Sequence, residues 1–280
     1  MKLLRYGAVG AERPALLDRN GRIRDLSAVV SDITPTVLGV RSLQRLASLN
    51  VDVLPIVNNE PRIAPPVAGI GKFIAIGLNY SDHAAETNMP IPAEPIVFSK
   101  ATSCIVGPYD DVRLPRSSTK TDWEVELGVV IGTSASYVSE TDALKYVAGY
   151  CVVNDLSERE YQLERGGSWD KGKGCDTFGP IGPYLVTADE VEDPQNLDLW
   201  LEVNGQIRQR GNTRTMIFPV SKLLSYVSQF MTLHPGDIIT TGTPPGVGMG
   251  MKPPVFLRAG DTMTLGIEKL GAQRQEVVSA

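Results

Sequence analysis

Residues 121–132, T-D-W-E-V-E-L-G-V-V-I-G, combine two acidic side chains with a run of β-branched residues. The run is typical of a buried strand, and the side chains of a strand alternate between its two faces. Glu124 and Glu126 are therefore predicted to project from the same face. Because like charges this close repel each other, the pair is either solvated on an exposed strand face or neutralised by a bound cation.

A third acidic residue favours the cation. Asp155 ends the predicted strand Y-V-A-G-Y-C-V-V-N-D, from where its carboxylate can reach the same site, although it could instead stabilise a helix N-terminus. Three carboxylates around one point repel strongly unless a hard divalent cation such as Mg²⁺ lies between them. We therefore expect Glu124, Glu126 and Asp155 to be metal ligands.

The rest of the chain predicts an α+β fold that is predominantly β. Short β-branched runs alternate with turn residues, and glycine (27) and proline (20) together make up a large share of 280 residues, which is unlike a helical bundle. The proline-rich stretch N-N-E-P-R-I-A-P-P-V-A-G-I-G-K predicts a boundary between a small β-rich N-terminal domain, residues 1–66, and a larger domain, residues 67–280. A helix packed on a sheet is predicted for P-V-S-K-L-L-S-Y-V-S-Q-F-M.

The chain is expected to be cytoplasmic, because its three cysteines are widely scattered and include no C-x-x-C pair, which fits a reducing compartment. The net charge is -5 and no cluster of lysine and arginine is present, so we expect no binding to nucleic acid. No apolar run approaches the roughly 20 residues that span a bilayer, and the N-terminus does not resemble a signal peptide, so we expect no membrane partner.

Two short segments carry further candidate catalytic and binding residues. His83 and Glu86 are three apart in the predicted helical turn N-Y-S-D-H-A-A-E-T-N-M-P, so the carboxylate can orient the imidazole as a general base for water. The segment D-L-S-E-R-E-Y-Q-L-E-R-G-G predicts a helix with Ser157 and Glu160 at capping-box spacing. Asp155, Arg159 and Gln162 would share one face of that helix, either as a solvated ion pair or as a carboxylate clamp beside the metal.

Lys100, Lys173 and Thr243 are the remaining candidates. Lys173 lies in the glycine-rich loop W-D-K-G-K-G-C-D-T-F-G-P, where the backbone can approach a ligand closely. Thr243 lies in T-T-G-T-P-P-G-V-G-M-G, which offers a hydroxyl and backbone N–H groups to an anion but matches neither the P-loop nor the dinucleotide fingerprint. Solvated surface lysines and a loop built only for tight turns are the alternatives.

These motifs together resemble the fumarylacetoacetate hydrolase family, especially its acylpyruvase-like branch. The resemblance covers about residues 67–270 and rests on G-L-N-Y-S-D-H-A-A-E, F-S-K, W-E-V-E-L-G-V-V-I-G, V-V-N-D-L-S-E-R-E-Y-Q, W-D-K-G-K-G-C-D-T-F-G-P and G-D-I-I-T-T-G-T-P-P-G-V-G. It implies the mixed β-sandwich roll of that family, a homodimer, and Mg²⁺ or Mn²⁺ held by Glu124, Glu126 and Asp155.

The same resemblance implies roles for the other candidates. His83 and Glu86 would lie on a lid that closes over the substrate and excludes bulk water. The substrate oxygens would contact the residues that match binding positions of the family, namely Arg159, Gln162, Lys173 and Thr243, with Lys100 nearby.

The activity implied by the resemblance is hydrolysis of the C3–C4 bond of a 2,4-dioxo acid. The closest likeness is to hydrolases of 2,4-diketo-3-deoxy-L-rhamnonate or -fuconate, which would give pyruvate and lactate, and to chains labelled ureidoglycolate lyase. Alternatives on the same site are ureidoglycolate lyase, oxaloacetate decarboxylase and 2-hydroxyhepta-2,4-diene-1,7-dioate isomerase activity. A different class is also open, a β-rich module that binds a cation or a small acid without catalysis.

Overall fold

The structure is a computed structural model that describes residues 1–86 and 89–280. Thr87 and Asn88, which belong to the predicted helical turn N-Y-S-D-H-A-A-E-T-N-M-P, therefore lie outside the described residues. The strands are β1 (Lys2–Tyr6), β2 (Arg13–Leu17), β3 (Ile23–Asp25), β4 (Ile63–Ala64), β5 (Phe73–Gly77), β6 (Ile96–Lys100), β7 (Ile105–Val106), β8 (Val112–Arg113), β9 (Thr121–Asp122), β10 (Val125–Ile131), β11 (Val147–Asn154), β12 (Ser157–Glu158), β13 (Gly179–Thr187), β14 (Asp198–Val203), β15 (Gln206–Asn212), β16 (Ile238–Thr240), β17 (Thr262–Ile267) and β18 (Gly271–Val278). The α-helices are α1 (Val40–Ala47), α2 (Ser81–Glu86), α3 (Asp170–Lys173) and α4 (Val220–Val227), and a π-helix spans Glu160–Glu164.

Two sheets dominate the fold, which confirms the predominantly β prediction. The larger sheet has the strand order β3-β2-β1-β13-β11-β10-β16-β5-β6, with β4 beside β1 and β7 beside β13. It is mixed, because β16 pairs with β5 in parallel whereas β10 and β11 pair antiparallel. The second sheet has the order β15-β14-β17-β18-β8. Strands β10, β11 and β13 contact β14, β17 and β18, so the two sheets pack against each other.

Strand β10 lies at the centre of the core. All seven of its residues are buried, which explains why the sequence is an almost uninterrupted apolar run. A Cβ at Gly128 would lie 2.7 Å from both the Cys151 sulfur and a Val153 methyl of the neighbouring strand, so only glycine fits there. Glu124 and Glu126 therefore lie where a fully buried strand begins.

The helix predicted after Asp155 is wrong in its start and in its type. Ser157 does not cap a helix; Ser157 and Glu158 form β12, which pairs with β9. The side chain of Glu158 instead accepts the backbone N–H of Glu160, and the π-helix begins only there. Local capping chemistry is overridden because β9 supplies a partner for the backbone of this segment.

The predicted helix after Phe218 is confirmed as α4, with Val220, Leu223, Leu224 and Val227 buried. At the N-terminus, β2 and β3 form a hairpin, and Gly21 takes the positive φ of its turn. β1 joins this hairpin to the large sheet, because it pairs with β2 on one side and with β13 on the other. The division at residue 66 stays a prediction. No helix among the described residues is long and apolar enough to cross a membrane.

Candidate active site

The register of β10 against β11 brings the three predicted metal ligands together. Val125 lies opposite Asn154, so Glu124 faces Asp155 across the strand pair, and the backbone N–H of Asp155 donates to the Glu124 carbonyl at 2.9 Å. Glu126 is two residues along on the same face. All three carboxylates are buried, and a ligand oxygen from each lies within 4.8 Å of the others.

Glu126 is held by neutral groups at the end of β16. Its Oε2 accepts a hydrogen bond from the Thr240 hydroxyl at 2.5 Å and from the Gly242 backbone N–H at 2.8 Å. Burial, followed by the charges of Asp155 and Glu124, raises the pKa of Glu126 well above its usual value. The side chain is thus oriented towards the other two acids, although their charges oppose its ionisation.

Two buried lysines face the other carboxylates. Lys173 Nζ lies 2.5 Å from Glu124 Oε2 and 2.9 Å from Asp155 Oδ2. Burial alone would lower the pKa of Lys173, but Asp155 and Glu124 raise it, so the amine stays protonated. Lys100 Nζ lies 2.6 Å from Asp155 Oδ1 and also donates to the backbone carbonyls of Leu156 and Lys173. Lys100 therefore contacts a predicted metal ligand rather than the cavity.

Arg159 is engaged by acids of the protein itself. Its Nη2 lies 2.7 Å from Glu124 Oε1 and 2.8 Å from Asp122 Oδ2, while its Nη1 donates to Gln162 Oε1 at 3.1 Å. Although burial opposes ionisation of Glu124, Lys173 and Arg159 lower its pKa to about 2. Arg159 thus keeps Glu124 ionised and orients Gln162, and its predicted contact with substrate stays a prediction.

Asp122 was not among the residues predicted for the site. It is fully buried, and besides Arg159 it accepts the backbone N–H groups of Gly248 at 2.7 Å and of Met249 at 3.0 Å. It therefore joins the arginine to the loop that follows β16. The available signal was its position two residues before Glu124 in T-D-W-E, on the same side of an extended chain.

The predicted general base, His83, and the carboxylate predicted to orient it, Glu86, both lie on α2. His83 Nδ1 lies 3.2 Å from Glu86 Oε2, which matches the expected spacing of three residues. The Glu86 carboxylate also accepts the backbone N–H of Gly246, at 3.1 Å and 3.2 Å from its two oxygens. The loop after β16 therefore supports the carboxylate that holds the imidazole.

Thr243 lines the same cavity from that loop. Its hydroxyl donates to the Val125 carbonyl at 2.9 Å and accepts from Gln209 Nε2 at 2.8 Å. Gln209, a second residue that sequence reasoning missed, is fully buried and accepts the Val125 N–H at 2.9 Å. The threonine hydroxyl thus has both a donor and an acceptor within the protein.

One cavity of about 260 Å³ joins these groups. Its polar lining comprises His83, Glu124, Glu126, Arg159, Gln162, Lys173 and Thr243, and its apolar lining comprises Ile76, Leu78, Met89, Phe98, Leu163, Trp169 and Met249. The structure thus brings the predicted general base, two of the three predicted metal ligands and four predicted substrate contacts to one space. Asp155 lies directly behind it.

The carboxylate trio fits a hard divalent cation. All its ligand atoms are oxygens, which Mg²⁺ and Mn²⁺ prefer over nitrogen and sulfur. Within the described part of the chain, Asp155 Oδ1 is buried and accepts no well-aligned hydrogen bond, although Lys100 Nζ is 2.6 Å away. An oxygen so placed has lone pairs to offer a metal.

Residues 72–278 match the family model described as fumarylacetoacetate (FAA) hydrolase, C-terminal. The chain is 64% identical over 281 residues, with full coverage of both sequences, to a Burkholderia ambifaria protein whose name gives only a hydrolase class.

Solved structures cover the whole chain as well. Fumarylacetoacetate hydrolase from Exiguobacterium antarcticum is 35% identical with a TM-score of 0.90, and both chains are covered completely. A probable 2-hydroxyhepta-2,4-diene-1,7-dioate isomerase from Mycobacterium abscessus is 32% identical, with a TM-score of 0.85 and coverage of 100% and 99%. Maleylpyruvate hydrolase from Sphingobium sp. SYK-6, in complex with manganese(II) and pyruvate, is 29% identical, with a TM-score of 0.84 and complete coverage of both chains.

Proposed function

This chain belongs to the fumarylacetoacetate hydrolase family, and on that premise we propose that it is a metal-dependent hydrolase that cleaves the C3–C4 bond of a 2,4-dioxo acid. The observation that carries the proposal is the joint lining of one cavity by His83, held by Glu86, and by the carboxylates Glu124 and Glu126. A base and a cation site that face one small space are what hydrolysis of a chelating substrate requires.

Glu124, Glu126 and Asp155 would hold Mg²⁺ or Mn²⁺. The cation would supply Lewis-acid polarisation and a fixed positive charge beside the 2-oxo acid head of the substrate. The manganese(II) and pyruvate bound to the maleylpyruvate hydrolase of similar fold support this assignment. Assays of the metal-free protein with Mg²⁺ and with Mn²⁺ would distinguish the two cations.

The side chains around the trio would bind and orient the substrate head. Gln162 lines the cavity, and because Arg159 engages its carbonyl oxygen, its NH₂ group is the end that can donate to a substrate oxygen. Lys173 offers a protonated amine between Glu124 and Asp155, where it can stabilise negative charge that develops on the pyruvate portion. Thr243 also lines the cavity, but its hydroxyl hydrogen is donated to the Val125 carbonyl, so it would shape the space around the substrate head rather than donate to it.

His83 would act as the general base. With Nδ1 held by Glu86, Nε2 is the nitrogen that takes a proton from water, and the hydroxide adds to the C4 carbonyl. Collapse of the adduct breaks the C3–C4 bond, and its electron pair becomes the enolate of pyruvate. Return of the proton from His83 to C3 gives pyruvate, while the acyl portion leaves as a carboxylic acid that contains the oxygen of water.

The family resemblance favours 2,4-diketo-3-deoxy-L-rhamnonate or -fuconate as substrate, with pyruvate and lactate as products. It also favours a homodimer, and we include in the proposal both this assembly and the cytoplasmic location expected from the cysteines. A second candidate is isomerisation of a 2-hydroxy-2,4-diene dioate, which the similarity to the Mycobacterium abscessus protein supports. The isomerase would move a double bond in its substrate without releasing pyruvate.

The test measures pyruvate release from 2,4-dioxo acids through coupled lactate dehydrogenase, after EDTA treatment and after addition of Mg²⁺ or Mn²⁺. We expect release only with a divalent cation, and a loss of about 10²–10⁴-fold in kcat for His83→Ala, because a general base contributes that factor. His234→Ala is the matched control, since the chain has two histidines and His234 is exposed in a turn. Cation binding without pyruvate release would favour the isomerase or a non-catalytic binding module.

A further inference from the structure

The cavity changes character along its depth. Its floor is charged and buried, since Glu126 is 1% exposed and Lys173 2% exposed. Its mouth is apolar and open, since Met89 is 49% exposed and Leu163 47% exposed, and both line it. A substrate whose dioxo acid head binds at the floor must therefore extend its acyl group along the apolar lining towards the mouth.

The apolar wall consists of Leu78, Met89, Phe98, Leu163, Trp169 and Met249. Phe98 and Trp169 pack edge to face with their ring centroids 5.3 Å apart. The Trp169 ring also packs directly on Gly77, where an added Cβ would lie 2.5 Å from it. The aromatic part of the wall is thus held by close contacts, so its surface is shaped before any ligand arrives.

The cationic side chains that line the cavity are engaged near the floor. Arg159 binds Asp122 and Glu124, and Lys173 binds Glu124 and Asp155. Arg208 lies on the neighbouring β15, but it contacts the side chains of Gln206 and Met251 and is not part of the lining. Lys173 Nζ also lies 5.4 Å from the centroid of the Phe98 ring, so it reaches the inner end of the apolar wall, but Glu124 and Asp155 already neutralise it. Among the described lining residues, the lysine and the arginine are both buried, so neither lies at the mouth beside Met89 and Leu163.

From these observations we propose that the acyl group of the substrate ends in an alkyl or aryl group. The protein would then cleave alkyl- or aryl-acylpyruvates and discriminate against substrates that carry a second carboxylate at the far end of the acyl group. This inference rests on the proposed function and names its substrate class. A distal carboxylate would lose water against the apolar wall without gaining an ion pair. The methyl end of a 6-deoxy sugar acid meets the requirement.

A matched pair of substrates tests the proposal. Succinylpyruvate ends in a carboxylate, and 4-methylpentanoylpyruvate replaces that carboxylate by an isopropyl group with the same number of heavy atoms. We expect kcat/KM to be higher for the isopropyl compound by about 100-fold or more, since burial of an unpaired charge costs much more than a change of one methylene. Equal cleavage, or faster cleavage of succinylpyruvate, overturns the proposal.

A charge placed at the mouth tests the position of the wall. Leu163→Arg should lower the preference for the isopropyl compound at least tenfold, because the guanidinium can pair with the distal carboxylate. Leu144→Arg is the control, since Leu144 is similarly exposed, at 44%, and does not line the cavity. If both variants show the same ratio of kcat/KM between the two compounds, Leu163 does not lie beside the acyl group of the substrate, and the proposed position of the apolar wall is refuted. If the wild-type protein with Mg²⁺ or Mn²⁺ cleaves neither compound, the proposed hydrolysis itself has failed.

Discussion

Replacing Lys173 by methionine should destabilise the protein strongly when divalent cations are chelated. The amine lies 2.5 Å from Glu124 Oε2 and 2.9 Å from Asp155 Oδ2, and all three side chains are buried. Methionine keeps most of the volume but leaves both carboxylates without this partner. Removal of one member of a buried ion pair costs about 3–5 kcal/mol. For a chain of this size roughly 2 °C corresponds to each kcal/mol, so Tm should fall by roughly 6–10 °C.

A divalent cation should recover part of this loss, because it would neutralise the same two carboxylates. We expect Mg²⁺ to raise the Tm of the variant more than that of the wild type. When the Mg²⁺ concentration far exceeds the dissociation constant, each tenfold gain in cation affinity adds about 1.4 kcal/mol to the free energy of unfolding. Thermal unfolding by circular dichroism, in EDTA and across a MgCl₂ series, measures both effects.

Lys145→Met is the control for removal of a lysine, since Lys145 pairs with Asp142 on the surface, where both side chains are largely exposed. Its Tm should stay within error of the wild type in EDTA and in MgCl₂. Equal responses of Lys173→Met and wild type to Mg²⁺ would show that the cation does not bind between Glu124 and Asp155, and would refute the reasoning.

Three further changes probe the rest of the site. Glu86→Gln should lower kcat, by up to the 10²–10⁴-fold that a general base contributes, and leave the Mn²⁺ affinity from calorimetric titration unchanged; a parallel loss of Mn²⁺ binding would contradict the assignment. Glu126→Gln should abolish Mn²⁺ binding but raise Tm in EDTA at pH 8. Burial and the acidic neighbours raise the pKa of Glu126 in the folded protein. Glu126 therefore lowers the free energy of unfolding at every pH above the pKa that a glutamate has in the unfolded chain. The gain in Tm of the variant should shrink as the pH falls towards that unfolded-state pKa. A gain in Tm that persists at low pH would show that ionisation of Glu126 is not its cause. Gly77→Ala should cost about 1–3 kcal/mol in urea unfolding, because its Cβ would lie 2.5 Å from the Trp169 ring; unchanged stability would mean that the indole can move away freely.

The acidic trio could be predicted from the sequence because strand periodicity and strand ends are local properties. Alternation places Glu124 and Glu126 on one face, and the end of the next strand in the chain places Asp155 beside them. The spacing of His83 and Glu86 is equally local, and the contact forms as predicted.

The groups that support the site depend on contacts between distant segments, which no local pattern reveals. Gln209 lies in Q-I-R-Q-R, a segment that resembles an exposed strand, yet it is fully buried and bonds to Val125 and Thr243. The family resemblance implied that Lys100 lies near the substrate, and the structure places its amine against Asp155. The predicted capping box at Ser157 was wrong because β9 competes for the same backbone.

The pairing of β1 with β13 predicts the effect of an N-terminal truncation of this protein. The region matched by the family model begins at residue 72, yet Lys2 and Leu3 pair with Val186 and Leu185 of β13, and the N-terminal amine donates to Thr187 at 2.6 Å. A shortened chain that starts at residue 72 would expose the unpaired N–H and C=O groups along that side of β13. Such a strand recruits other chains, so the shortened protein should aggregate during expression even though it keeps every residue of the active site.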